Sequence, residues 1–369
     1  MRILYVSNGS NFDSAGGMEY HLLDVTAWLE KRGVEIAFAV REGTFFERSL
    51  LRGRRNIYPL PWTGIRKAVG FFSLARAIRD FSPDIISINR EQDMARTWAL
   101  AGLSPLWGGR RPKMVSVFHN LGWRGGFDLR RLDGLIFPNR YIKQDYVKSN
   151  HVPEDRSEII HHGIALPRVD PEEKADRGRR RRFFAGRGYP IIGMVGEFRK
   201  NQSELVDVAD RLGKKGMDFT VAFVGSGTEE QVAPVKEKIA RLGLGDRFVF
   251  TGMVDRTRIP DVFHDLDLSV TTNRAEPFGM VFIESIASRT PMVAYNSGGP
   301  VEVLEKGGGI LVDGGPDEMA DRILAVLTDD ALRVSLADAG RKAAERHFSI
   351  DAMGAGHYRF YRRLIAGGA

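Results

Sequence analysis

The chain has 369 residues, 43% of them hydrophobic and 27% charged, a balance that suits a globular protein of two ordinary domains rather than one core. It contains no cysteine, which excludes disulfides and thiolate metal sites. The net charge of +7 favours phosphate-bearing small molecules, nucleic acid or anionic lipid, without choosing among them.

Ile3–Ser7 reads as a short buried strand, apolar without the alternation of a half-exposed one. It is entered directly from Met1, with no signal-peptide core, and no apolar run is long enough to cross a bilayer. A cytoplasmic location is therefore expected, with the inner face of the membrane as the alternative. After the polar loop 8–14, Gly16-Gly17 opens a helix predicted to end near Arg32, and Val34–Val40 is the next strand. Strand, glycine turn, helix, strand makes one right-handed crossover unit. Between Pro61 and Phe81, basic residues interleave with aromatics: Trp62, Arg66, Lys67, Phe71 and Phe72. This stretch reads either as a helix resting on an anionic membrane or as one whose Phe71, Leu74, Ile78 and Phe81 face a core. Further strands are predicted at Asp84–Ile88, Met114–Phe118, Gly134–Pro138 and Glu158–Ile160.

Pro167 to Tyr189 is polar and lacks apolar periodicity, and its basic cluster from Lys174 includes Arg177, Arg179, Arg180, Arg181 and Arg182. It reads as a solvated linker, or as a patch that meets anionic membrane. A second series starts at Pro190–Gly196, with strands at Phe219–Gly225, Phe248–Thr251, Leu268–Thr272, Met292–Tyr295 and Gly309–Val312. Helices fall near 202–213, 229–242, 256–265, 279–288, 317–328 and 330–346, and a last one follows Ser349. The expected fold class is α/β: two doubly wound Rossmann-like domains facing across a cleft, each with ligand loops at the carboxyl ends of its strands. The expected boundaries are 1–166 with 349–369 returning to it, a basic linker at 167–187, and 188–348.

Glu276 and Glu284 flank Pro277-Phe278-Gly279 and a mostly apolar run. Pro277 suits a first helical turn. On a single helix the two acids would lie about 12 Å apart along the axis and share no site. With Glu276 in the preceding loop and Glu284 inside the helix, both can line one cleft, with the free N–H groups of residues 278–280 between them as an anion seat. A carboxylate accepts two hydrogen bonds and so suits a vicinal diol; diol, phosphate, diol is the outline of a nucleotide sugar. The alternative is a loop acid followed by a helix-surface acid.

Other candidates are less specific. Gly16-Gly17 could hold a phosphate but is no dinucleotide fingerprint, and Gly225-Ser226-Gly227 has Glu230 where a third glycine would stand. Asp265 and Asp267 have the spacing of a metal–diphosphate clamp, although a helix end running into a strand favours a cap or solvent-facing role. His161 and His162 point to opposite faces of an extended chain, which makes them poor joint metal ligands. His119 lies just past a strand end, where such folds place their chemistry.

In order, Gly16-Gly17-Met18-Glu19, Val117-Phe118-His119, Ile160-His161-His162-Gly163, Gly193-Met194-Val195-Gly196, Phe250-Thr251-Gly252, Glu276-Pro277-Phe278-Gly279 through Glu284, and Ser297-Gly298-Gly299-Pro300 span nearly the whole chain. Together they resemble the retaining glycosyltransferases of the GT-B fold, the "group 1" (family 4) class. The resemblance implies a donor-binding C-terminal domain and an acceptor-binding N-terminal one. The donor is a UDP-, GDP- or ADP-sugar and the acceptor a lipid-linked or saccharide hydroxyl, with no cofactor, no metal and no nucleic acid. It implies catalytic roles for His119, Glu276 and Lys200, with Glu276 on the sugar's hydroxyls and Lys200 on the diphosphate. Glu284 matches the ribose contact. Gly16, Gly17, Glu197, Arg199, Gly252, Met253, Phe278, Gly279, Met280 and Val281 complete the donor side. Trp123 and Arg124 are assigned to the acceptor side with loops 8–15, 41–65 and 120–131. The chain departs from the family at Glu197, where an arginine is usual and Arg199 is the candidate replacement, at His162, usually asparagine, and at Arg289, usually glycine. A non-hydrolysing nucleotide-sugar epimerase or a non-catalytic nucleotide-sugar-binding protein would share the architecture.

Overall fold

A computed structural model describes residues 1–8, 16–61, 67–122, 125–176, 183–184, 186–188 and 190–367. Trp123, Arg124, Arg66 and Arg177 to Arg182, all assigned above, lie outside the described residues. The chain divides into two compact units, Met1–Gly163 with Ile350–Ala369, and Ile164–Ser349.

In the first unit, the strands are β1 (Arg2–Ser7), β2 (Glu35–Arg41), β3 (Ile57–Leu60), β4 (Ile85–Ile88), β5 (Lys113–Val117), β6 (Gly134–Phe137) and β7 (Ser157–Ile159). They form one parallel sheet in the order β3-β2-β1-β4-β5-β6-β7. Alternate residues of β1 feed opposite faces, as the two-residue period requires. Ile3 and Tyr5 pack with Leu22 and Leu29 of helix Gly17–Glu30 and with Met353 and Tyr361 of helix Ile350–Ile365. Leu4 and Val6 join Leu74, Leu100 and Tyr146 on the other side. Strand β3 was not expected, since Pro59 cannot donate to a ladder; it is tolerated because β3 is the sheet's edge.

The last helix does return to this unit. At Gly354 a side chain would meet the Trp28 ring at 2.3 Å, so glycine lets the two helices touch, and Trp28 Nε1 donates to Asp351 Oδ1 at 2.6 Å. In helix Lys67–Phe81 the core stripe holds for Leu74, Ile78 and Phe81, which are buried. It fails for Phe71, which is 38% exposed beside Phe72 at 73%.

The second unit carries β8 (Ile191–Val195), β9 (Thr220–Val224), β10 (Phe248–Phe250), β11 (Leu268–Thr271), β12 (Met292–Tyr295) and β13 (Gly309–Val312) in one parallel sheet, ordered β10-β9-β8-β11-β12-β13. Strand β11 is wholly buried, as a central parallel strand covered on both faces must be. A short helix, Gly299–Leu304, was not expected.

The expected linker is, where described, part of this unit. Helix Pro171–Ala175 is capped by Asp170, whose Oδ1 accepts from Glu172 N and Glu173 N. Lys174 is buried, its Nζ donating to the carbonyls of Phe263, His264 and Leu266 at 2.7 Å each and to Thr290 Oγ1 at 2.9 Å. An ammonium with its N–H groups occupied can sit inside; an unpaired one cannot. Asp265 Oδ2 accepts from the backbone N–H of Phe183 and Phe184, and Asp267 Oδ2 from Ile191 N. Both acids are buried, so neither the metal clamp nor a solvent-facing Asp267 describes them; they fasten backbone.

Candidate functional site

Strand order reverses between β8 and β11, and the loops after their carboxyl ends are where an open parallel sheet binds ligands. The loop after β8 is pinned at both ends by Gln202, which donates to the Glu197 carbonyl at 2.6 Å and accepts from Lys200 N at 3.1 Å. Thr272 Oγ1, just past β11, donates to the Asn201 carbonyl at 2.6 Å and ties the two loops together.

In the loop after β11, Asn273 Oδ1 accepts from Ala275 N at 3.1 Å while its Nδ2 donates to Glu276 Oε2 at 3.0 Å. Lys200 Nζ reaches the same oxygen at 2.9 Å. The helix starts at Met280, not at Pro277, because Gly279 before it has φ +79°, and a side chain there would meet the Phe282 ring at 2.1 Å. Glu276 thus stays in the loop, its carbonyl accepting from Gly299 N at 2.7 Å, and Glu284 stands one turn inside helix Met280–Ala287. Burial pushes the Glu284 carboxyl above the ordinary glutamate range, with Arg256 and Lys200 pulling it back. Lys200 therefore acts on both acids. Arg256 is a candidate that sequence reading missed, one of two arginines, with Arg258, between β10 and the next α-helix.

The remaining donor-side candidates divide. Phe278 is buried against Phe282 and Ile283, which leaves its backbone rather than its ring for a ligand. Met280 and Val281 head the helix, and Gly252 pairs with Gly225 beside the exposed Met253. Arg199 Nε donates to Glu197 Oε2 at 2.5 Å, both side chains exposed, so the carboxylate at the departure carries its own counter-ion. Arg289 holds φ +56° past the helix end and pairs with Asp338. That departure is a matter of helix capping.

The first unit holds a separate group. Gly16 and Gly17 open helix Gly17–Glu30 and are exposed, with Gly16 N donating to Glu19 Oε2 at 2.9 Å. Glu19 lies 3.4 Å from Arg90, and Arg90 is among the charges that hold the His119 ring neutral, after burial and His21. His119 follows β5, and its Nε2 is buried with no hydrogen-bond partner among the described residues. His161 and His162 do point apart: His161 Nδ1 lies 2.8 Å from the Pro138 carbonyl, whereas His162 Nδ1 lies 3.0 Å from His21 Nδ1. That His162 joins His21 and His119 was not foreseen, because the three are far apart in sequence.

Two family descriptions match the chain: "Glycosyltransferase Family 4" over residues 15–168 and "Glycosyl transferases group 1" over residues 179–343. Among curated relatives, the 2-deoxystreptamine glucosyltransferase of Streptomyces kanamyceticus is 31% identical over 192 residues, 49% of either chain. The chain spans about half the length of this relative and of the next, at 49% and 54%. A glycosyltransferase structure from Rickettsia africae superposes with a TM-score of 0.81 at 19% identity, covering 99% of this chain and 98% of the other. Anabaena HepE, solved with UDP and glucose, gives 0.74 at 19% identity over 97% and 98%. With nearly every residue from 15 to 343 inside one description or the other and the fold shared from end to end, the chain belongs to the group 1 glycosyltransferases and has their GT-B fold.

Proposed function

We propose that the protein is a retaining, metal-independent glycosyltransferase. It moves a hexosyl group from a nucleoside-diphosphate sugar to a hydroxyl acceptor in the synthesis of cell-surface polysaccharide, lipopolysaccharide or glycolipid. The observation that carries this reading is Lys200 bonded to Glu276 with Glu284 in reach of the same ammonium, at the switch point of the second sheet. Glu276 takes the sugar hydroxyls, Glu284 the ribose diol, and Lys200 with the first N–H groups of helix Met280–Ala287 the diphosphate between them. The UDP and glucose bound by the Anabaena neighbour support a UDP-sugar as the first donor to test.

In the reaction the anomeric C–O bond to the diphosphate breaks and the acceptor oxygen bonds the same carbon from the same face. The acceptor proton passes to the departing phosphate oxygen. Negative charge grows on the leaving group, where Lys200 and the helix amides stabilise it. None of the acids is assigned as a covalent nucleophile, which separates this route from double displacement. The first unit takes the acceptor, and from it His119 acts beside the transferred sugar while the Gly16-Gly17 turn closes over the donor phosphates. Exposed Val69, Phe71 and Phe72, in the helix that Lys67 starts, support contact with an anionic membrane surface.

The test is a donor-turnover assay with two variants. Glu276→Ala is expected to lower kcat about a hundredfold, and Glu284→Ala to weaken nucleotide binding with a smaller loss of kcat. Near-normal turnover and binding in both would remove the site assignment.

A further inference from the structure

We propose that His21, His119 and His162 of the first unit form a binding site for one divalent d-block cation of the Zn2+ type. One nitrogen from each ring lies within 4.8 Å of the others. The His21 and His162 Nδ1 atoms are already 3.0 Å apart. Tetrahedral Zn–N bonds of about 2.0–2.1 Å put neighbouring ligand nitrogens roughly 3.4 Å apart. The cluster therefore closes on a cation through a ring movement of about 1 Å at His119. Three neutral imidazoles and no thiolate select zinc and its d-block neighbours over magnesium or calcium, which take oxygen.

The cluster is built into the fold rather than laid on its surface. His21 comes from helix Gly17–Glu30, His119 from the end of β5 and His162 from the chain just past β7. His21 and His162 are 2% and 6% exposed. A fourth imidazole, His357 of the last helix, is 1% exposed and packs on His21 with ring centroids 5.7 Å apart. The competing account is a chain of neutral imidazoles bonded to one another. That account leaves buried nitrogens without partners among the described residues, His119 Nε2 and His357 Nε2. Leaving such a group unpaired costs about 1–3 kcal/mol. A cation takes up the first of these, and His357 or a water molecule can complete the coordination. Burial keeps all four rings neutral, the form that ligates, with His21 lowered to about 4.

Binding at this site does not depend on the donor reading. If that reading holds as well, a bound cation draws the His119 ring away from the substrate, and zinc inhibits transfer. The test is binding, on the untagged full-length chain stripped of metal. Co2+ is titrated in while its visible d–d absorption is followed, and Zn2+ is then used to displace it. One equivalent with tetrahedral absorption is expected, weakened at least about tenfold in His162→Asn and His21→Asn and unchanged in His161→Asn, whose ring faces the Pro138 carbonyl. Absence of a saturable single equivalent, or His162→Asn binding as well as the unmodified chain, overturns the proposal. Should both variants fail to fold, the imidazole 15N shifts of the unmodified chain decide. Zn2+ must move the signals of three rings, and unmoved signals overturn the site.

Discussion

Glu284 is placed where its charge works against the fold. Burial raises its carboxyl above the ordinary 4.5, so the folded chain holds that proton more tightly than the unfolded one. The stability this contributes is full below 4.5 and is lost as pH rises through the folded value. Glu284→Gln is neutral at every pH. It should therefore be more stable than the unmodified chain at roughly pH 8 and equal to it at roughly pH 4, while binding nucleotide less well. Urea unfolding at the two pH values checks the first part, and equal offsets at both would contradict it. The placement of Glu284 inside a helix and Glu276 in the loop before it was legible from the glycine and the apolar run, although Pro277 pointed to an earlier helix start than Met280. Arg256 was not, since a cation in a loop has no periodicity to place it, and only the fold brings it towards Glu284. The histidine cluster was missed for the same reason, as its three members come from one helix and from just past two strand ends.

At the scale of elements, the positions that admit no side chain are the sharpest tests. Gly279→Ala forces a left-handed backbone on a residue with a Cβ, which costs about 1–2 kcal/mol before the clash with Phe282 is added. Urea unfolding should show at least that loss, and donor binding should fall with it, because the start of helix Met280–Ala287 shifts. At Gly354 the effect is different in kind. Gly354→Leu would push the last helix off Trp28, and amide hydrogen exchange in residues 350–365 is expected to speed up while the second unit stays protected. Unchanged exchange would mean that the helix is held by other contacts. Most strands and helices were readable beforehand, since buried parallel strands appear as short apolar runs between glycine-marked turns. Strand β3 hid behind Pro59. Helix Gly299–Leu304 hid behind glycine and proline, which punctuate loops as often as they start helices.

For the whole molecule, two doubly wound sheets follow from the alternation of strand and helix, whereas the second unit begins at Ile164 and takes in the segment that its composition marks as a linker. The arginines of that segment read as solvated, while its Lys174 is buried among carbonyls that no local pattern reveals. A thermal-shift series with UDP, GDP and ADP should single out one nucleotide. Saturation at about a hundred times Kd adds roughly 2.7 kcal/mol to the unfolding free energy. Equal shifts with all three would point to diphosphate recognition without base selection. Lys174 also offers a way to watch the second unit open. Its amine is sealed off from acylating reagents while that unit is intact, so mass-spectrometric mapping of anhydride labelling should find it unmodified long after surface lysines have reacted. Its first appearance among labelled peptides would then time the loosening of the segment that carries it.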